Sequence, residues 1–396
     1  MALNDIVFQK QNGGMGRTAP NEDPISGLII AANGKLAALP ATLDPVNGLG
    51  IVKISFYEQL AQTYEIGAIK EPADDADYAA NAIDYYVREF FRMSPTGTLY
   101  LAVKLTGEVS GDDVKTLQNY TEGKIRQIGI LTASAANIAA YQSAATALET
   151  EHKPLSILFT TNGDGTALAA YTEENGHVQA GRCNVSQLIG CDLDPALLER
   201  LGDFGYYGCI GTLLGAVSKA MVHESIAWVQ KFPLGLTMPS LITGDLVKEI
   251  STGNQNLING NRYIFVRTHV GEADNYFNDS FTYDVATSDY GFIENVRTMD
   301  KATRGIRTNL LPNLNAPLYV DAATGKLRPD TVAYLETVAS KALEDMEKAG
   351  ELSGYRAEIN PEQNVLATSQ LEVQIKNVPV GVMRRVLVKI GYTTQI

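Results

Sequence analysis

Between Thr98 and Gly190 short apolar runs alternate with helical stretches, and this alternation restricts the fold more than any other feature of the chain. Thr98–Leu105 (TLYLAVKL), Ile125–Leu131, Leu155–Thr161 and Val185–Gly190 read as strands, and Asp112–Glu122, Ala135–Glu149 and Thr166–Glu174 read as the helices between them. Strands separated by helices return in parallel through right-handed crossovers, and the helices then cover both faces of the sheet. The expected class is α/β (α+β), with a central, mostly parallel sheet. A short strand at Ile51–Ile54, a helical stretch at Phe56–Glu65 and a stronger helix at Tyr78–Met93 precede this region. Asp74, Asp75 and Asp77 stand where negative charge favours the start of that helix. Downstream, Ile210–Phe232 reads as one long helix, Gly244–Ile258 as another, and Arg262–Val270 and Phe281–Val285 as strands.

The last hundred residues have a different texture. Asn295–Leu310 is helical and ends at Pro312. Val332–Ala349 is a helix that Asp330 can cap and Gly350 stops, with Val332, Leu335, Val338, Ala342 and Met346 on one stripe. Leu371–Val378 (LEVQIKNV) then alternates, Leu371, Val373 and Ile375 apolar against Glu372, Gln374 and Lys376, as a half-buried strand does. Pro379 and Gly381 break it, and a final strand, Arg385–Tyr392, follows with Val386, Val388, Ile390 and Tyr392 on one face and Leu387, Lys389 and Gly391 between them.

The two ends of the chain share a property. Asp5, Ile6, Val7, Phe8 and Gln9 form a strand too short to bury its own side chains, cut off by the Gly- and Pro-containing stretch Gln11–Asp23, which holds Gly13, Gly14 and Gly16. The C-terminal strand is equally isolated. Burying its four large side chains is worth roughly 6 to 12 kcal/mol before entropy costs, and left bare it is an aggregation hazard. It therefore needs a sheet edge. Pairing within its own subunit, beside Leu371–Val378, is the simpler solution; exchange between subunits is the other.

Bulk properties exclude more than they identify. At 396 residues, 45% hydrophobic and 19% charged, the chain fills two or three packed units. A net charge of −13 repels phosphate backbones and anionic bilayers, so neither nucleic acid nor membrane is an expected partner. Cys183, Cys191 and Cys209 are odd in number and lack CxxC spacing, which suits a reducing compartment and no disulfide framework. The opening MALNDIVFQKQNGGMGR has no apolar core of a signal peptide.

Candidate chemistry is thin. Asn162-Gly163-Asp164-Gly165 sits between strand and helix, where phosphate cradles form, yet it has no Lys-Ser or Lys-Thr and no third glycine at Leu168; it reads as a turn. Gly48-Leu49-Gly50 precedes its strand, the wrong side for a dinucleotide turn. His152, His177, His223 and His269 have no metal-ligand spacing. Asp192 and Asp194 read as a turn before a helix, not a cation loop. Ser218 and Ser225 lack a nucleophile elbow. Catalytic, metal and cofactor residues are accordingly none. A Rossmann-like enzyme or ligand-binding protein is the rival reading. It needs polar residues gathered at the C-terminal ends of the Thr98–Gly190 strands, and the sequence displays no such set.

From about Asp300 to Ile396 the chain resembles the C-terminal domain of contractile tail sheath proteins. The shared order is a helix near Asp300–Leu310, the helix Thr331–Ala349, the stop GELSGYRAEIN, a polar loop over Pro361–Ser369, the strand LEVQIKNV, the spacer PVGVMRR and the terminal strand VLVKIGY. The opening strand, its Gly-rich linker and SGLII are similar too, while the middle matches only as an α/β region of suitable size. The resemblance implies a division into an N-terminal arm (1–24), an α/β body (25–294), an inner α+β domain (295–377) and a C-terminal arm (378–396). It implies a structural role and no enzyme: rings of subunits stacked around an inner tail tube protein, assembled in the bacterial cytoplasm, capped by baseplate and tail terminator proteins, and contracting as part of a phage tail or phage-like particle. Each subunit would lend Asp5–Gln9 and Arg385–Tyr392 to neighbours. Leu371, Val373 and Ile375 would then mark the accepting edge, and Gly13, Gly14, Gly16, Pro379 and Gly381 the hinges. Arg384, Arg385 and Lys389 would either guard an edge or bridge to an acidic neighbour.

Overall fold

The computed structural model describes residues 22–36, 43–132, 134–174 and 179–393. The arm Asp5–Gln9, the glycines Gly13, Gly14 and Gly16, and His177 lie outside the described residues.

The apolar runs assemble as the alternation requires. β1 (Ile25–Ala31), β2 (Asp44–Val46) and β3 (Leu49–Ile54) are followed by helices α1 (Gln59–Tyr64) and α2 (Asp75–Met93). Then come β4 (Thr98–Lys104), α3 (Gly111–Tyr120), β5 (Gln127–Leu131), α4 (Ile138–Thr150), β6 (Ser156–Thr160), the short α5 (Ala169–Thr172) and β7 (Val185–Leu188). The seven strands form one sheet in the order β2-β3-β4-β1-β5-β6-β7. β4, β1, β5, β6 and β7 run parallel, and the edge pair β2-β3 is antiparallel. Successive side chains of each strand enter opposite layers. Leu28 and Ile30 join the layer holding α2, while Ile29 and Ala31 join the one holding α3 and α4. Both faces are dry, which is why the strands read as unbroken apolar runs.

β1 sits in the middle of this sheet, between β4 and β5. Its sequence, ISGLIIA, carries no alternation, so pattern alone does not mark it as a strand.

Helix α2 begins where Asp74 accepts hydrogen bonds from the amides of Ala76 and Asp77 at 3.0 and 3.1 Å. A capping box of Ser110 and Asp113 starts α3. Beyond β7 the chain forms β8 (Gly190–Asp192), α6 (Pro195–Leu201), α7 (Ile210–Lys219), β9 (Pro239–Leu241), α8 (Thr252–Gly260), β10 (Val266–Thr268) and β11 (Asn275–Phe277). The run Val185–Gly190 is thus two strands: β7 in the main sheet and β8 paired with β9. Asp194 caps α6, as a turn before a helix should. The expected helix Ile210–Phe232 stops at Lys219. The guanidinium of Arg297 binds the carbonyl oxygens of Ala220 and Met221 at 3.2 and 3.4 Å, and Glu224 accepts from the Met221 amide at 2.9 Å. The distant Arg297 and the local Glu224 side chain take backbone groups that a longer helix would use for itself. Phe281–Val285 is likewise not a strand; Phe281 makes only an isolated bridge to Phe292.

The C-terminal unit consists of α9 (Ile293–Leu310), α10 (Pro329–Lys348), β12 (Leu352–Glu358), α11 (Val365–Thr368) and β13 (Gln374–Pro379). Pro329 occupies the first turn of α10, and Arg328, not Asp330, stands at its N-cap. Ala302, Leu343, Met346 and Leu352 form one small core, Leu327, Leu335, Ile359 and Val365 a second.

Candidate assembly site

β12 and β13 pair antiparallel, from Leu352 opposite Pro379 to Glu358 opposite Gln374, and among the described residues form a two-stranded sheet. A lone hairpin is marginal in water. Here α9 and α10 support it, with Ile375 and Tyr355 half-buried against Ala302, Leu343 and Met346. Among the described residues neither outer edge has a strand beside it, so each offers a row of backbone N–H and C=O groups.

The proposed edge residues divide. Ile375 lies in β13 opposite Ala357, whereas Leu371 and Val373 lie before the strand and pack on the second small core. Pro379 does not break the strand; it is the last residue of the ladder, and its carbonyl accepts from Ser353 Oγ at 3.0 Å. Proline is tolerated there because an edge strand has one unpaired side. Gly381 lies beyond, with open space around its α-carbon.

The segment Arg385–Tyr392 has no secondary structure and does not pair with Leu371–Val378 within the chain. Val386, Leu387, Val388, Ile390 and Tyr392 are 63 to 111% exposed, with Arg385, Lys389 and Gly391 exposed between them. Its root, in contrast, is held firmly. Arg384 Nε donates to both carboxylate oxygens of Asp279 at 3.0 Å, and Nη2 binds Glu294. The guanidinium carbon lies 3.5 Å from the centre of the Phe292 ring, a cation–π arrangement. Glu294 is 2% exposed. Burial pushes its carboxyl up from the ordinary range, and Arg384 and the Ser280 hydroxyl, 2.5 Å away, pull it back. The sequence suggested that Arg384 guards an edge or bridges to a neighbour; it clamps its own chain. No motif marks this, because Asp279 and Glu294 lie 105 and 90 residues away in sequence.

A second polar set, not visible in the sequence, gathers at the C-terminal ends of β1, β4 and β6. Asn33, Lys35, Glu108, Asn162, Asp203 and Tyr207 surround a hollow of about 520 Å³. Its groups largely satisfy one another: Lys35 pairs with Asp203 at 2.9 Å, Asn33 donates to the Tyr207 hydroxyl at 3.2 Å, and Thr132 donates to Glu108 at 2.5 Å. Its lining among the described residues contains no Ser, Cys or His. The Asn162–Gly165 segment is a turn in which Asn162 Oδ1 accepts from the Asp164 amide at 2.8 Å. Burial pushes the thiols of Cys183, Cys191 and Cys209 up, away from the reactive thiolate. Among the described residues no three His, Cys, Asp or Glu side chains group as metal ligands, and no helix is long and apolar enough to cross a membrane.

The fold is shared with two solved assemblies from the anti-feeding prophage. One is its helical sheath in the contracted state, at a TM-score of 0.63 and 14% identity, over 97% of this chain and 99% of the other. The second is in its baseplate, at a TM-score of 0.62 and 16% identity, over 100% of both chains. No curated protein matches the sequence. The N-terminal domain of DUF2586 matches residues 107–281, and its C-terminal domain matches residues 289–396. Matched in order by both domains, over well more than half of its length, the chain belongs to the DUF2586 family.

Proposed function

We propose that this protein is a structural subunit of a contractile injection system, a sheath protein that polymerises around an inner tube and contracts to drive that tube through an envelope. One observation carries the reading: the chain bears a bare apolar strand sequence and a two-stranded sheet with open edges, in a fold that matches a contracted sheath subunit from end to end. Strand addition joins such elements through main-chain hydrogen bonds, with alternate side chains setting the register. The lent strand is Arg385–Tyr392 and the receiving sheet β12-β13 of a neighbour, with Asp5–Gln9 as the corresponding N-terminal strand. Because β13 extends through Pro379 and Arg384 is clamped, the flexible part of the C-terminal arm lies on either side of Arg384: a short stretch at 380–383 and the strand itself. The partners are further copies of the chain, the inner tube protein, and baseplate and terminator proteins at the two ends.

Purified protein, concentrated and viewed by negative-stain electron microscopy, is expected to form hollow tubes of uniform diameter. Single closed rings would move the assignment to a baseplate part, and monomers at all concentrations would reject assembly.

The polar hollow at the sheet switch point favours ligand binding as a second reading. Its internal ion pair and lack of a phosphate-binding turn argue against a nucleotide. Calorimetry with ATP and with NAD is expected to show no heat of binding, and a measurable affinity for either would restore the rival.

A further inference from the structure

We propose that α9 is the mechanical link between the two terminal segments, holding the root of each on one face of a single helix; the inference rests on the assembly reading above. Glu294, Arg297, Lys301 and Arg304 stand at intervals of three, four and three, which places them along one stripe. Near its start, Glu294 holds Arg384, the root of the C-terminal arm. Two turns on, about 10 Å along the axis, Lys301 Nζ lies 2.7 Å from Asp23 Oδ2 and Arg304 Nη2 lies 3.5 Å from Asp23 Oδ1.

Asp23 is the point at which the chain enters the body. It is 8% exposed, and its carbonyl accepts from Gln127 Nε2 at 2.9 Å. Glu22 beside it pairs with Arg126. Lys301 also bonds Glu351 at 2.6 Å, the residue before β12. One helix face therefore meets the N-terminal root, the C-terminal root and the hairpin. Between them Arg297, 5% exposed, fastens the helix to the carbonyl of Ala220. The carboxylates of these pairs are 2 to 11% exposed and their cations partly exposed, and removing a cation leaves a mostly desolvated carboxylate unpaired. Such pairs suit a joint that keeps its geometry under load. A pull on one root passes along the helix to the other.

The test uses peptide-resolved hydrogen exchange on the full-length protein with two isosteric variants. Asp23→Asn is expected to speed exchange at residues 382–386, and Glu294→Gln at residues 22–26, each by about threefold or more, within the coupling found between residues of one network. The double variant is expected to fall short of the product of the two effects. Loosening confined to the root that carries the substitution overturns the link. If Asp23→Asn fails to fold, Lys301→Arg, which keeps the cation but alters the joint, is read in the same way. Tube formation by the unaltered protein is scored separately: its absence rejects the assembly reading, while the exchange data still decide whether the roots are coupled.

Discussion

Truncation after Arg384 will abolish tube formation and leave a stable, soluble monomer. The described part of the removed segment, 385–393, has no secondary structure, and its large apolar side chains are 63% or more exposed, so its loss should change the stability of the body by less than about 1 kcal/mol. Truncation one residue earlier should behave quite differently. Without Arg384 the mostly buried carboxylates of Asp279 and Glu294 lose a cation that is itself partly exposed, at a cost of about 1 to 3 kcal/mol. Thermal melts and electron microscopy of the two truncations, side by side, separate the roles. Tubes of normal length from the shorter deletion would refute strand lending by this arm. Equal melting temperatures for the two would refute the clamp.

Substitution of Gly211 by Val will destabilise the body by driving α7 away from α2. A β-carbon at Gly211 would meet the Tyr86 carbonyl oxygen at 2.2 Å, and one at Gly215, a turn later, the Phe90 carbonyl oxygen at 2.7 Å. Both obstacles are backbone, which cannot turn aside. Tyr86 and Phe90 are among the largest fully buried side chains of that layer, so separating the helices opens the core they fill. Overpacking of this kind costs on the order of 3 kcal/mol, or roughly 4 to 5 °C in Tm for a chain of this length. Gly211→Ala should already lower Tm, since its β-carbon is the clashing atom. A calorimetric Tm within 1 °C of the unaltered protein would mean that the two backbones do not touch.

The parts of the fold that were legible in the sequence are those decided locally. The parallel core follows from apolar runs separated by helices, and α10 from its helical periodicity and its glycine stop, although its buried face is Leu335, Ala339, Leu343 and Met346 and not the stripe through Val338 and Ala342. β1 escaped because a strand buried on both faces shows no alternation and ISGLIIA is too short to distinguish from a core helix. The pattern over Ile210–Phe232 does not show where the helix ends, because Arg297, which binds the carbonyl just past that end, is 77 residues from Ala220. The same distance in sequence hid the candidate site. An isolated apolar strand at the C-terminus can be seen in VLVKIGY. The acidic pair that grips Arg384 and the crevice of Asn33, Glu108 and Asp203 exist only once the chain has folded.

Strand lending between the bare C-terminal segment of one copy and the hairpin of another would make a head-to-tail contact, which need not close on itself. Every added copy would then present the same vacancy as the one before. If the strand is lent as proposed, the dimensions of the finished object are dictated from outside, by whatever template the first ring is laid upon and whatever stopper meets the last.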